Sequence, residues 1–316
     1  MKESMQGMEI DLVYLWVNGN DPQWQAKRQS VAGDIGDTSV NCKGRYAENE
    51  ELKYSLRSIE LYAPWIRKIF IVTDNQVPEW LDITNPRIQI VDHSEILPEE
   101  SRPCFNSVII ENFLYKIPGL SEYFLYGNDD MLINRPVTPE TFFAADGFPI
   151  VRMNRRFFRK ISVWLRQKVL KKKLGNYNRK IANAANLVNS RFGIYFGGRT
   201  HHNIDSYRKS DYEHVYNMFK DVIKPTLIHH IRNDEDINRH IYSYAPLAEK
   251  HAHAQYVNKK TSFRLQIHEV EQYQKLEEYN PIFFCMNDSQ FATDEDRSRS
   301  KEYLERRFPN KSEFEK

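Results

Sequence analysis

An apolar run that ends in two adjacent carboxylates, at residues 124–131, constrains the fold of this chain more than any other feature. The run Phe-Leu-Tyr-Gly leads into Asn128, Asp129 and Asp130, and the chain is apolar again at Met131. This pattern is typical of a buried strand whose end carries polar residues to the edge of a sheet. Ligands of open α/β folds bind at the carboxyl ends of strands, where these carboxylates are expected to lie.

The carboxylate pair indicates a metal site for a phosphorylated substrate. Mg²⁺ and Mn²⁺ prefer oxygen ligands and often share their coordination with substrate phosphates. We therefore predict that Asp129 and Asp130 bind Mg²⁺ or Mn²⁺, two ions that the pattern does not distinguish. The residues alone leave one alternative open, a surface turn in which Asn and Asp serve turn chemistry.

Strands and helices alternate along the first half of the chain. Apolar runs predict strands at residues 10–17, 68–73, 87–91 and 123–126, and helical spacing predicts helices at 50–62 and 106–114. A polar loop is expected at residues 31–44. The alternation predicts an α/β fold with a Rossmann-like, mostly parallel sheet and helical additions.

Composition excludes several classes of protein. The 316 residues suffice for one large domain or two small ones, and 45 Lys and Arg nearly balance 43 Asp and Glu, so nothing marks a polyanion-binding protein. Cys42, Cys104 and Cys285 are too far apart for a zinc motif and fit reduced thiols in the cytoplasm. No window of about 18 apolar residues predicts a transmembrane helix.

The segment 152–173 and the residues just after it carry basic charge without any acid. Apolar residues recur there at helical spacing, which predicts a basic amphipathic helix. Its apolar face could pack on the core, or the helix could contact anionic lipid. No nucleic-acid partner is expected, because no recognised module accompanies the charge. The basic residues are Arg152, Arg155, Arg156, Arg159, Lys160, Arg166, Lys168, Lys171, Lys172, Lys173, Arg179 and Lys180.

Polar residues also follow the first two predicted strands. Asn18, Gly19 and Asp21 follow the first strand, where a nucleotide binds in a doubly wound sheet, and Asp74 and Asn75 follow the second. The glycine patterns of dinucleotide-binding proteins and P-loops are absent from the sequence. Plain strand-to-loop turns are the alternative for both sites.

Two histidine pairs and an arginine complete the candidate chemistry. His201 or His202 could act as a general base, since the pKa of histidine lies near neutrality. Arg232, which follows His229 and His230, could bind phosphate oxygens in a bidentate manner. Structural histidines and a solvated arginine are the alternatives that the residues leave open.

Taken in order, these segments resemble the Stealth family of sugar-1-phosphate transferases. That family includes bacterial capsule and exopolysaccharide phosphotransferases and the catalytic part of the lysosomal-enzyme GlcNAc-1-phosphotransferase. Four blocks that together span nearly the whole chain carry the resemblance. They are residues 10–22, then 45–58 with 63–67, 71–78 and 126–130, then 191–193 through His202 to 232–236, and finally 284–288 with 308–316.

The resemblance implies a reaction and a set of substrates. The enzyme would transfer a sugar with its β-phosphate from a UDP-sugar, either a hexose or an N-acetylhexosamine, to a glycan hydroxyl and release UMP. The sheet would be of the nucleotide-sugar transferase type. A metal-dependent glycosyltransferase that releases UDP is the main alternative, and a non-catalytic glycan-binding relative is a third.

The resemblance also implies roles for individual residues. Asp129 and Asp130 would hold the metal, His202 would be the base, and Arg232 would bind phosphate. Arg57 would join Asp130, His202 and Arg232 as a catalytic residue. The substrate-binding residues would be Asn18, Gly19, Asp21, Asn49, Glu51, Asp74, Asn75, Asn128, Asn287 and Asp288.

The acceptors of bacterial members of the family are typically glycans on lipid carriers. The resemblance therefore implies that the enzyme acts at the anionic surface of a membrane. We therefore expect a cytoplasmic protein that contacts the inner face of a bacterial plasma membrane through residues 152–173. Residues 8–150 would form the nucleotide-sugar and metal-binding core, and 151–180 a basic helical insertion. Residues 181–316 would complete one integrated catalytic domain.

Overall fold

Strands and helices alternate through most of the chain. The computed structural model describes residues 7–33, 46–156, 159–165, 169–171 and 174–316. The strands are β1 (Ile10–Leu15), β2 (Ile69–Thr73), β3 (Ile88–Asp92), β4 (Tyr123–Asn128), β5 (Met131–Ile133), β6 (Ile150–Met153), β7 (Asp205–Arg208), β8 (His253–Tyr256), β9 (Ser262–Gln266) and β10 (Phe283–Asn287). The helices are α1 (Pro22–Ala32), α2 (Glu51–Tyr62), α3 (His93–Ile96), α4 (Ser107–Glu111), α5 (Arg159–Trp164), α6 (Asn176–Phe192), α7 (Lys209–Ile223), α8 (Ile241–Glu249), α9 (Glu271–Tyr279) and α10 (Asp294–Arg307).

A mostly parallel sheet forms the centre of the fold. Its strand order is β3-β2-β1-β4-β7, in which β1 to β4 are parallel and β7 runs antiparallel to β4. The α/β fold with a mostly parallel sheet is therefore confirmed. Strands β2 and β3 lie on one side of β1 and β4 on the other, and ligands of such sheets bind beside this switch point.

The predicted elements match the observed ones closely in this part of the chain. Each of the four predicted strands overlaps one of β1 to β4, and the helix predicted at 50–62 is α2. The helix predicted at 106–114 is shorter, because α4 ends at Glu111 and a separate 3-10 turn follows at Leu114–Lys116. The loop predicted at 31–44 lies largely outside the described residues.

Apolar side chains cover both faces of the central sheet. Along β1, Leu12 and Tyr14 pack with α2, whereas Val13 between them joins a second cluster with residues of α4, α6, α7 and α8. Successive side chains of a strand point to opposite faces, so a nearly continuous apolar run fills two cores. Asp11, also in β1, is buried and forms an ion pair with Arg67 at 2.6 Å.

The chain leaves the central sheet at the two carboxylates predicted to bind metal. Asp129 and Asp130 connect β4 with β5, and β5 belongs to a different sheet, of order β5-β10-β9. Strand β10 pairs with β5 so that Cys285 lies opposite Met131. The carboxylate pair therefore occupies a corner between two sheets, to which β10 brings its own carboxyl end.

The basic segment differs from the helix that the sequence predicts. Arg152 lies in β6, buried between the rings of Phe142 and Phe283 at 5.3 and 5.1 Å, and α5 covers only Arg159–Trp164. Lys180 is buried in α6. Residues 166–168 and 172–173 lie outside the described part of the chain. No described helix combines the length and apolar character needed to span a bilayer.

Candidate active site

The corner between the sheets gathers acidic side chains. The backbone amide of Asp130 donates to the carboxylate of Asp129 at 3.1 Å, and the carbonyl of Asp130 accepts from the amide of Met286 at 2.9 Å. Burial and the nearby charges of Asp130 and Glu51 raise the pKa of Asp129 well above its usual value. A bound cation would offset this repulsion, so the charge of the corner fits a divalent metal.

Glu51, the first residue of α2, belongs to the same acidic group. Burial raises the pKa of Glu51 to about 8, and the neighbouring carboxylates Glu48 and Asp130 contribute to the rise. Asn49 donates to Glu51 from its side chain at 2.8 Å and from its backbone at 3.1 Å. Asn49 thus orients Glu51. Both residues are predicted to bind substrate, but only Glu51 lines the cavity that contains Asp129 and Asp130.

A cysteine that the sequence did not single out links the acidic corner to a histidine. The thiol of Cys285 donates to Oδ2 of Asp130 at 3.0 Å, and its sulfur lies 3.9 Å from Nδ1 of His202. Burial raises the pKa of Cys285 well above its usual value, so the thiol keeps its proton. Its position on β10, two residues before Asn287, was the available sequence signal.

The structure places the two adjacent histidines differently. His202 reaches the end of β4 because β7 runs antiparallel to β4, with Asp205 opposite Tyr126. Nη1 of Arg264 lies 3.3 Å from Nε2 of His202. Burial, followed by the charge of Arg264, lowers the pKa of His202 to about 3. His202 is therefore a neutral imidazole, a form that can accept a proton.

His201 is turned away from the acidic corner. Its Nδ1 lies 2.5 Å from the hydroxyl of Ser262, and burial lowers its pKa to about 4. Of the two histidines, only His202 lies near the thiol of Cys285, which donates to Asp130. Only His202 lines the cavity that contains the carboxylates. This geometry favours His202 as the base.

Arg232 supplies positive charge to the cavity that contains the carboxylates. Its Nη2 donates to the hydroxyl of Ser107 at 3.2 Å, whereas its buried Nη1 has no hydrogen-bond partner among the described residues. Charged groups of folded proteins are normally hydrogen-bonded when buried. An anionic ligand is the kind of partner that an arginine in this position fits.

These groups line one side of a cleft with two connected cavities. The first, which we call the acidic cavity, has a volume of about 240 Å³ and lies at the ends of β1, β2 and β4. Its lining includes the aromatic residues Trp16, Trp24, Tyr46 and Phe105. The predicted residues that line it are Glu51, Asn128, Asp129, Asp130, His202, Arg232, Asn287 and Asp288.

The second cavity lies beside the first, toward β7. It has a volume of about 290 Å³ and shares Ser107, Asn128, His202 and Arg232 with the acidic cavity. Its other polar lining comes mainly from the start of α6 and from the loops before β7 and α8. The polar side chains there include Tyr177, Asn178, Lys180, His201, Asn238 and Arg239.

Several predicted binding residues border the acidic cavity without lining it. Asn18 and Asp21 hold Gln76 between them at 2.9 Å each, and Asp21 also caps α1 by accepting from Gln23. Gly19 lies so close to Tyr46 that an added Cβ would be 2.1 Å from its carbonyl oxygen. Gly19 therefore leaves room for Tyr46, which lines the cavity.

Asp74 and Asn75 are also engaged by protein groups. Asp74 forms an ion pair with Lys27 of α1 at 2.5 Å, and the amide of Asn75 donates to Asp92 at 2.7 Å. Asp288 does line the cavity, although Arg297 holds both of its carboxylate oxygens, at 2.7 and 3.1 Å.

The structure does not support the expectation that Arg57 is catalytic. Arg57 lines neither cavity. Its guanidinium donates twice to Glu315, at 2.8 and 2.7 Å, and once to the carbonyl of Phe308 at 2.7 Å. Arg57 of α2 thus binds residues near the end of the described chain, outside both cavities, and its predicted catalytic role stays a prediction.

Among the described residues, no group of three or more His, Cys, Asp or Glu side chains is arranged to hold a metal ion. The Asp129 and Asp130 pair therefore fits a metal only if other oxygens, such as substrate phosphates, complete the coordination.

Comparison with known proteins identifies the family. The family models Stealth protein CR1, conserved region 1, and Stealth protein CR2, conserved region 2, match residues 8–36 and 45–151. The exopolysaccharide phosphotransferase cps2G of Lactiplantibacillus plantarum is 30% identical, over 98% of this chain and 96% of that protein. The chain belongs to the Stealth family. The resemblance stated from the sequence is therefore confirmed.

Other Stealth relatives match over shorter stretches. The capsular polysaccharide phosphotransferase fcs1 of Haemophilus influenzae is 34% identical over 72% of this chain and 62% of its own length. The exopolysaccharide phosphotransferase SCO6023 of Streptomyces coelicolor is 49% identical, but over 47% of this chain and only 25% of its own length.

Solved structures with a similar outline are glycosyltransferases. The galactosyltransferase LgtC, in complex with donor and acceptor sugar analogs, has a TM-score of 0.46 and 10% identity over 95% of both chains. The glycosyltransferase GlyE of Streptococcus pneumoniae TIGR4 has a TM-score of 0.46 and 12% identity, over 94% of this chain and 60% of that one. The fold assignment rests on the strand order and directions given above.

The two Stealth regions account for only part of the cleft. They include β1, the start of α2 and the carboxylate corner, but His202, Arg232 and Asn287 lie beyond residue 151. In this Stealth protein the antiparallel strand β7 brings His202 to the corner, and β10 brings Asn287.

Proposed function

We propose that this Stealth enzyme transfers a sugar-1-phosphate from a UDP-sugar to a glycan hydroxyl and releases UMP. One observation carries the proposal: a single cleft brings together a carboxylate pair, a neutral histidine and an arginine whose buried Nη1 has no hydrogen-bond partner among the described residues. These groups come from separate segments of the chain. Relatives that are named polysaccharide phosphotransferases support the same reaction class.

The charges of the cleft suit a diphosphate that spans it. Asp129 and Asp130 would hold Mg²⁺ or Mn²⁺, with substrate phosphates as further ligands, and the metal would neutralise charge on the phosphoryl oxygens. Arg232 would bind another oxygen of the transferred phosphoryl group from the opposite side. Glu51, Asn128, Asn287 and Asp288 would complete the walls.

His202 would accept the proton of the acceptor hydroxyl. The imidazole is neutral, and the negative charge of a bound diphosphate would offset the charge of Arg264 that lowers its pKa, which would make it a stronger base. The acceptor oxygen would form a bond to the β-phosphorus while the bond from that phosphorus to the oxygen of UMP breaks. The proton would remain on His202 until solvent removes it.

The nucleotide product tests the reaction. The protein would be incubated with Mg²⁺ or Mn²⁺, a crude glycan acceptor and a panel of UDP-hexoses and UDP-N-acetylhexosamines, and UMP would be separated from UDP. We expect UMP that depends on the acceptor and that Asp130→Asn abolishes. Asp82→Asn, at a carboxylate outside both cavities that accepts from Thr84, is the matched control. Formation of UDP instead would mean a glycosyltransferase that attacks the anomeric carbon.

We further propose that the enzyme acts on lipid-linked glycan at the inner face of a bacterial plasma membrane. Large apolar side chains are exposed at Ile161, Trp164, Leu165, Val169 and Leu170, among the basic residues of the same segment. Exposed apolar groups beside positive charge are typical of surfaces that bind anionic bilayers.

Vesicle binding tests the membrane contact. We expect the protein to sediment with phosphatidylglycerol vesicles and not with phosphatidylcholine vesicles. Each basic residue near an anionic surface contributes on the order of 1 kcal/mol, so combined neutralisation of Arg155, Arg156, Lys171, Lys172 and Lys173 should abolish sedimentation. Neutralising Lys259 and Lys275 is the control. Unchanged sedimentation and unchanged activity on lipid-linked acceptor would contradict this part of the proposal.

A further inference from the structure

We propose that the second cavity binds the acceptor sugar of the glycan, with Tyr177 as the side chain on which that sugar packs. This inference rests on the proposed transfer reaction. It assigns a binding site and a chemical class to the second substrate, the acceptor. The cavity is a binding site for an uncharged, hydroxyl-rich pyranose.

The second cavity opens onto the groups that are proposed to react. The two cavities meet at His202 and Arg232, the candidate base and the candidate phosphate ligand. A phosphoryl transfer needs the donor on one side of the phosphorus and the attacking hydroxyl on the other. With the donor on the side of the carboxylates, the second cavity is the space on the opposite side of His202.

The sheet gives the two cavities an order. Leu15 of β1 and Val72 of β2 line the acidic cavity, whereas Thr200 and Glu111 line the second cavity on the β4 and β7 side. Neighbouring strands are about 4.8 Å apart, so the cleft extends over several strand spacings across the sheet. It therefore has room for a nucleotide at one end and a sugar at the other.

The charges of the second cavity are already balanced by the protein. Arg239 forms ion pairs with Asp205 and, at 3.5 Å, with Glu111, and Nζ of Lys180 lies 3.9 Å from Asp236. Among the described lysines and arginines that line the cavity, only Arg232 has no carboxylate within ion-pair distance, although Glu111 is near enough to interact with its charge. Away from Arg232 the lining suits a neutral ligand that exchanges hydrogen bonds with polar side chains.

Tyr177 provides the apolar surface that a sugar ring needs. Tyr177 is 40% exposed and lines the second cavity. Aromatic rings present a flat apolar face, which suits the C–H face of a pyranose. Asn178 beside it accepts from Arg199 at 3.3 Å, and an amide side chain has both donors and an acceptor, as sugar hydroxyls do.

The course of the chain agrees with a lipid-linked acceptor. Tyr177 lies in the first turn of α6, seven residues after Leu170, which ends the exposed apolar segment proposed to contact the membrane. Lys160 of α5 donates to Asn189 of α6 at 3.2 Å, so the two helices are in contact. A glycan anchored at that membrane would therefore enter the cleft from the α6 side.

Steady-state kinetics test the assignment, with the concentrations of the UDP-sugar and of the acceptor varied separately. Methyl glycosides of common hexoses and N-acetylhexosamines serve as minimal acceptors, and UMP is measured. We expect Tyr177→Ala to raise the KM for the best methyl glycoside by about tenfold, as expected for loss of about 1.4 kcal/mol of contact. The KM for the UDP-sugar should stay within about twofold, and Tyr177→Phe should behave like the wild type.

The control and the opposite outcomes separate this inference from the proposed function. Tyr279→Ala removes a ring that packs on Phe263 away from both cavities, and it should change neither KM. A raised KM for the UDP-sugar in Tyr177→Ala, with an unchanged acceptor KM, would assign the cavity to the donor sugar and overturn the inference. So would equal kinetics of Tyr177→Ala and wild type. In both cases continued UMP release would leave the proposed function intact, whereas a wild-type protein that releases no UMP would refute that function first.

Discussion

The ion pair between Arg57 and Glu315 decides between a catalytic and a structural role for Arg57. Replacing Arg57 with Met keeps most of the length of the side chain but removes three hydrogen bonds and the positive charge. Glu315→Gln keeps Arg57 and removes only the negative charge. If Arg57 is structural, both variants lower stability and neither lowers the rate of a folded enzyme.

The size of the effect follows from the burial of the pair. The side chain of Arg57 is 12% exposed and that of Glu315 is 4% exposed, so Arg57→Met leaves a carboxylate buried without its countercharge. Removing one partner of a buried pair costs about 3 kcal/mol or more. In a chain of this size each kcal/mol lowers the Tm by about 2 °C, so we expect a fall of about 6 °C.

Two measurements provide the assay. Thermal unfolding gives the Tm, and UMP formation at about 20 °C, below the unfolding transition expected for such a domain, gives the rate of the folded enzyme. Burial acts to raise the pKa of Glu315, but the bonds from Arg57 and Ser312 outweigh it and place the pKa below the usual value. The pair therefore stabilises the fold above about pH 4.5, and its contribution is lost as the pH falls further. An unchanged Tm with a large loss of rate in Arg57→Met would refute the structural role.

Further predictions concern the cleft. Arg264→Gln should raise the pKa of His202 by about one unit, because a unit charge about 4 Å away contributes about 1 kcal/mol even in water. The acid limb of the kcat/KM profile should move up accordingly, and an unmoved limb would exclude His202 as the base. Arg232→Lys should lower kcat about 100-fold through loss of the planar fork, whereas an equal kcat would exclude a transition-state contact. Chelation of divalent cations should abolish UMP release and added Mg²⁺ or Mn²⁺ should restore it, so full activity in chelator would remove the metal role of Asp129 and Asp130.

The sequence predicts four of the five strands of the central sheet because β1 to β4 are mostly apolar, whereas β7, with the sequence Asp-Ser-Tyr-Arg, carries no such signal. Strands buried on both faces need apolar residues at every position, and polar residues appear where such strands end. That is why the sequence alone is enough to place Asn128, Asp129 and Asp130 at a strand end. The three-stranded sheet has no such signal, because β5 is only three residues long and its partner β10 follows about 150 residues later.

The sequence is least informative about residues whose surroundings come from distant parts of the chain. Arg57 and Glu315 are 258 residues apart in sequence, and no local pattern marks them as partners. Arg152 reads as part of a basic helix, yet tertiary packing inserts it between two aromatic rings. Cys285 carries no motif, although it lies within a block that the resemblance already covers. The second cavity depends on residues of α6 that no motif marks.

The carboxylate corner has a consequence for the coupling between ligand binding and the mechanics of the fold. Asp129 and Asp130 are the only connection along the chain between β4 of one sheet and β5 of the other, and the carbonyl of Asp130 holds the amide of Met286 in β10. A ligand that draws the two carboxylates together therefore restrains the angle between the sheets as well. By thermodynamic linkage, any contact that stabilises the same angle between the sheets also raises the affinity for the ligand. Hydrogen exchange at the Met286 amide should thus report occupancy of the cleft without any label.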